Sequence, residues 1–114
     1  MAEGTIMTEK DKDALRITNQ FRSKGSMVYD MRCNGERLTL TVSPRTNEQD
    51  GGEWRVEARA AGRPEEDIIE RWGATRIDAL RAVGVEWSER WFARGLPRFD
   101  WEAVAQALIA VRAV

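Results

Sequence analysis

Arginines are the residues of this chain best suited to chemistry. Arg16, Arg32 and Arg37 stand in three stretches of alternating apolar and polar residues, and Arg55 and Arg59 stand in a fourth. A guanidinium is planar, permanently charged and able to fork onto a phosphate or carboxylate through two parallel hydrogen bonds. Gathered on one surface, these side chains would form an anion site for a nucleic-acid backbone or an acidic partner protein. Their gathering depends on how the flanking strands pair.

Other chemistries are poorly provided for. The chain has no histidine, so the commonest general base near neutral pH and the commonest metal ligand are missing. Its one cysteine, Cys33, has no histidine to activate it as a nucleophile. No phosphate-binding loop, dinucleotide fingerprint or zinc spacing occurs. Glu65, Glu66 and Asp67 cluster after Pro64 and read as a solvated loop, with metal coordination the weaker alternative. The expectation is a non-enzymatic protein with no catalytic residue, cofactor or metal, a carboxylate-based enzyme being the third alternative after a protein-binding module and a nucleic-acid binder.

Two turn signals set the strand register. Asn34-Gly35 is the strongest short hairpin signal, and a two-residue loop there pairs Met31 with Leu38, Tyr29 with Leu40 and Met27 with Val42. Ser23-Lys24-Gly25 reads as a three-residue loop ending in a glycine of positive φ. That loop pairs Phe21 with Met27, Asn19 with Tyr29 and Ile17 with Met31. Both turns send the large apolar residues to one face, and a one-residue slip would scatter them. On the other face Arg16 falls opposite Arg32, and Arg32 opposite Arg37. The row is an anion site or a solvated face neutralised by Asp30, Glu36, Glu53 or Glu57. Asn19, the polar residue on the apolar face, is expected to hydrogen-bond Tyr29.

Residues 44–52 form a polar loop. Trp54, Val56, Ala58 and Ala60 alternate with Glu53, Arg55, Glu57 and Arg59, the pattern of a half-buried fourth strand. A short fifth strand is expected over 67–72. Thr75 then caps a helix, with Asp78 three residues later. Ile77, Leu80, Gly84, Trp87 and Trp91 form its apolar stripe, with Val83 at the margin. Gly84 costs about 1 kcal/mol relative to alanine within a helix, and its place on the stripe predicts a close approach of the backbone. Gly95 and Pro97 end the helix. Asp100 caps a second helix, with Phe99 placed to staple onto Val104 and Trp101, Val104, Leu108 and Val111 as its inner stripe.

Trp54, Trp87 and Trp101 are expected in the core. Trp91, near a helix end, and Trp72, on a possible edge strand, are candidates for a partner interface. Val85 and Phe92, seven residues apart and off the main stripe, either pack on the second helix or form an exposed strip that docks a partner protein or a second copy.

The strand–turn–strand unit leading into Trp72-Gly73-Ala74-Thr75 resembles, over residues 54–92, the HicB-type antitoxin family. Gly73, Thr75, Asp78, Ala79 and Leu80 stand in the places of that family's glycine-threonine pair and helix start. The resemblance implies binding of a partner protein, often as an oligomer. The same unit is similar to the double-stranded RNA-binding domain, which implies phosphate contacts from lysines at the helix start. Here Arg76 and Arg81 stand in that region without lysines.

The predicted architecture is α+β: an antiparallel meander of about five strands followed by two C-terminal helices packed on one face. Residues 1–12 read as a polar lead-in and 13–114 as a single domain, large enough to bury a core. Hydrophobic residues at 42% argue against disorder. A net charge of −1 means that any basic site is local. No apolar run nears the ~20 residues that span a membrane, and a lone thiol suits a reducing, cytoplasmic setting. A protein partner or a homo-oligomer is expected, with nucleic acid as the alternative ligand.

Overall fold

The alternating stretches do form strands, and they lie in chain order. A computed structural model describes residues 15–44 and 53–114. The lead-in over 1–12 and most of the polar loop over 44–52 lie outside the described residues. Strands β1 (Arg16–Ser23), β2 (Ser26–Cys33), β3 (Glu36–Pro44), β4 (Trp54–Ala60) and β5 (Ile69–Gly73) form one sheet in the order β1-β2-β3-β4-β5. Every neighbouring pair is antiparallel. Helices α1 (Arg76–Arg94) and α2 (Trp101–Ala110) follow. The chain is thus an α+β fold, a five-stranded meander with two C-terminal helices.

One face of the sheet is covered. Helix α1 lies over β4 and β5 and packs on α2. Met31, Leu38, Leu40, Val42, Val56 and Ile69 from the sheet join Leu80, Val83, Trp87, Val104 and Leu108 from the helices in a single buried cluster. Burying an aliphatic or aromatic side chain of this size is worth about 1.5–3 kcal/mol, so this cluster is what holds the layers together.

The β2–β3 register is the expected one. Asn34 and Gly35 both have positive φ, 54° and 78°. That conformation matches the twist of the flanking strands, and it pairs Met31 with Leu38, Tyr29 with Leu40 and Met27 with Val42.

The β1–β2 hairpin differs from expectation. Its loop has two residues, Lys24 and Gly25, at φ 51° and 84°, and Ser23 pairs with Ser26. A primed two-residue turn suits the strand twist better than the longer loop. Phe21 therefore lies opposite Val28 and Asn19 opposite Asp30, and the expected Asn19–Tyr29 bond is not formed. The register shifts between Ile17 and Asn19. Thr18 is the extra residue of a bulge, which returns Ile17 to Met31 and Arg16 to Arg32.

Two smaller corrections follow from local chemistry. Glu65–Asp67 form a 3₁₀ turn, so β5 begins at Ile69 and not at residue 67. Helix α2 ends at Ala110, and Arg112 adopts φ 60°. The Ala113 N–H then bonds the Leu108 carbonyl at 2.8 Å. Ala113 is buried where Val111 was expected, and Val111 is exposed.

The helix boundaries are otherwise as read. The Thr75 side chain accepts from the Asp78 N–H at 3.1 Å. Asp100 Oδ1 accepts from the Glu102 and Ala103 N–H groups. Gly95 ends α1 at φ 67°, with the Leu96 N–H donating to the Trp91 carbonyl at 2.8 Å, a Schellman closure. A Cβ at Gly84 would stand 2.9 Å from Trp101 Cβ, so the glycine on the stripe does permit a close approach.

Candidate functional site

The second face of the sheet is left uncovered by α1 and α2, and its side chains stand in rows set by the register. The first row is Arg16, Arg32 and Arg37 across β1, β2 and β3. The next is Asn19, Asp30, Thr39 and Arg59. Then come Phe21, Val28, Thr41, Glu57 and Glu70. The last is Ser23, Ser26, Ser43, Arg55 and Trp72. Adjacent strands are about 4.8 Å apart, so the first row presents three guanidinium stems within roughly 10 Å.

The three arginines of the first row are exposed. None of them forms an ion pair or a side-chain hydrogen bond with a described residue. Three of the four carboxylates expected to neutralise them are engaged by other side chains or placed on the other face. Asp30 Oδ1 accepts from Thr39 Oγ1 at 2.9 Å. Glu57 lies 3.9 Å from Arg55. Glu36 pairs with Cys33 and so belongs to the helix-covered face.

Arg55 and Arg59 share the face but not the row. Arg55 Nη1 bonds Glu70 Oε2 at 2.8 Å and stands three rows from Arg37, about 20 Å along the strands. Arg59 is one row from Arg37, and its Nε and Nη2 donate to the Arg63 carbonyl at 3.2 and 3.0 Å. Of the five arginines read from the sequence, the register brings three together, with Arg59 beside them and Arg55 distant.

The face also carries aromatic rings. Phe21 is 45% exposed and Trp72 is 40% exposed, one on each edge strand. The two-residue turn and the bulge put Phe21 there, whereas the expected loop would have directed it to the core. Trp54 points to the helix side, half-buried, with the Arg76 guanidinium 4.8 Å from its ring centroid. Trp87 is core, its Nε1 donating to the Pro97 carbonyl at 2.9 Å, and Trp101 packs beside it with centroids 5.4 Å apart.

The outer surface of α1 holds the other candidates. Val85 and Phe92 are 61% and 82% exposed, so they do not pack on α2. Trp91 is half-buried against the core and carries Arg98 over its ring at 5.7 Å. A concavity of about 480 Å³ opens beside Val85, walled by Gly84, Ser88 and Trp101 and rimmed by Arg81 and Glu102.

Two buried acids escaped the sequence reading. Asp67, placed in a solvated loop, is 8% exposed and bonded to Arg63 at 3.0 Å and Arg94 at 3.4 Å. Glu86 is buried on α1 between Arg71 of β5 and Arg90. Both knots tie α1 to the β4–β5 region. Among the described residues no group of three His, Cys, Asp or Glu converges as a metal site, and no helix is long and apolar enough to cross a membrane.

Comparison with known proteins returns no matching family model, no matching curated protein and no matching solved structure.

Proposed function

We propose that this protein is a small non-enzymatic binding module that holds an acidic segment of a partner protein on its uncovered sheet face. The observation that carries the reading is the Arg16–Arg32–Arg37 row, which has no carboxylate partner among the described residues. Cross-strand like charges cost a few tenths to about 1 kcal/mol per pair, and a bound anion offsets that cost. Carboxylates from a partner satisfy the guanidinium forks in pairs. The neighbouring Thr18 and Thr39 are already spent on Asp30, so the arginines supply the donors. The resemblance of residues 54–92 to the HicB-type unit agrees with a partner-binding role, and the lone thiol agrees with a cytoplasmic one.

A second reading, binding of single-stranded nucleic acid, is favoured by Phe21. Sheets that hold single strands pair cations with exposed rings on which bases stack, and Phe21 shares the face with the row. Asp30, Glu57 and Glu70 on the same face argue against a polyphosphate backbone and place this reading second.

Fluorescence anisotropy with the full chain tests both readings. A labelled oligoglutamate peptide should bind, and Arg32→Glu should weaken it at least tenfold. A single-stranded oligonucleotide bound more tightly than the peptide, with affinity falling steeply as salt rises, would select the second reading. Absence of binding to both probes would refute the anion site altogether.

A further inference from the structure

On the opposite side of the molecule, the exposed face of α1 holds a protrusion and a hole of matching kind. Arg81, Val85, Ser88 and Phe92 follow one another at helical spacing and form one stripe. Phe92 projects from it, 82% exposed. About two turns away is the concavity of about 480 Å³ beside Val85, walled by Gly84, Ser88 and Trp101. Seven residues of helix separate Phe92 from Val85, about 10.5 Å at 1.5 Å per residue. Ser88, small enough to let two helices approach, lies between them.

We propose that this face binds a second copy of the chain, with the two α1 helices antiparallel about a two-fold axis at Ser88. A two-fold interface is self-complementary: if residue i of one copy meets residue j of the other, j meets i. That requires a protrusion and its receptor at equal distances on either side of the axis. Phe92 and the Val85 concavity meet the requirement. Rotation about Ser88 lays Phe92 against the partner's Val85 and the partner's Trp101, and the reciprocal contact follows.

On the side of the stripe toward α2 the charges are complementary under the same operation, whereas Glu89, which also lines the concavity, lies beside the axis in both copies. Arg98 is exposed above Trp91 and forms no ion pair with a described residue. Glu102 rims the concavity, mostly exposed, with Arg81 no nearer than 4.0 Å. Both lie on the side of α1 that faces the start of α2. A two-fold axis running across the helices keeps that side in common, so Arg98 approaches the partner's Glu102 twice per dimer. The occupant this surface suits is therefore a second copy, and the arginine row on the far side of the sheet stays open in the dimer.

Sedimentation equilibrium on the full chain reads the outcome. The wild type should sediment at twice the chain mass. Phe92→Arg should sediment as a monomer that still unfolds in one cooperative transition, since the ring it replaces is exposed, and its melt, unlike that of the wild type, should not depend on protein concentration. Arg98→Glu should weaken the dimer at least tenfold, and adding Glu102→Arg should restore it. A wild type that stays monomeric at millimolar concentration overturns the proposal. So does a dimer that survives Phe92→Arg, or a double charge swap that restores nothing. Anion binding by the sheet face is measured separately, and either result stands without the other.

Discussion

Arg32 stands directly across from Arg37 on neighbouring antiparallel strands, and Arg16 stands across from Arg32 on the other side. The Asn34-Gly35 turn dictates the first pairing, so the charge conflict is built into the hairpin. The first consequence concerns stability. Arg37→Glu replaces a like-charge pair by an opposite-charge pair and should raise the unfolding free energy by about 0.5–1 kcal/mol. Urea unfolding at low salt measures it, and the gain should shrink in high salt. The same variant should bind oligoglutamate more weakly. A loss of stability would mean that the row is held by something other than its anion.

Gly84 illustrates packing that overrides helix propensity. Alanine is the better helix former by about 1 kcal/mol, yet a Cβ there would meet Trp101 at 2.9 Å. Gly84→Ala should therefore destabilise the protein by about 1–3 kcal/mol, the usual cost of overpacking. A thermal melt that rises instead would show that Trp101 can move away freely.

Lys24 and Arg112 occupy left-handed backbone at φ 51° and 60°, a region that costs residues with a Cβ about 1–2 kcal/mol. Lys24→Asn installs the residue the primed turn prefers, and Arg112→Gly the one that a helix end prefers. Each should stabilise by roughly 0.5–1 kcal/mol. The two sites lie in separate elements, so the double variant should show additive denaturation midpoints.

Asp67 joins the 3₁₀ turn to the end of α1 through Arg63 and Arg94. Both arginines also reach main-chain carbonyls, Arg63 to Arg94 and Arg94 to Glu66, at 2.7 and 2.8 Å. Asp67→Ala removes the buried carboxylate around which the knot is arranged. A loss of about 1–3 kcal/mol is expected, with faster amide exchange at Leu96, whose N–H closes the helix end. Glu65→Ala, which alters an exposed neighbour, should change little.

Local chemistry made much of this molecule legible. Asn34-Gly35, Thr75, Gly95 and Asp100 act through their own backbone and the few residues beside them, so their turns and caps could be read directly. The β2–β3 register followed from one turn, and with it the Arg32–Arg37 pair. The α+β order followed from the change of apolar period from two to about 3.6.

Tertiary structure decided what depends on distant partners. Phe21 reached the uncovered face because a two-residue turn and a bulge at Thr18 reversed its direction, and neither strand's own pattern distinguishes the alternatives. Asp67 and Glu86 look like ordinary surface acids until β5 and α1 close over them with their arginines. Phe92 and the concavity beside Trp101 became a matched pair only when α2 packed on α1. Alternation and capping are properties of adjacent residues, whereas burial, charge pairing and surface shape arise between segments that meet only in the folded chain.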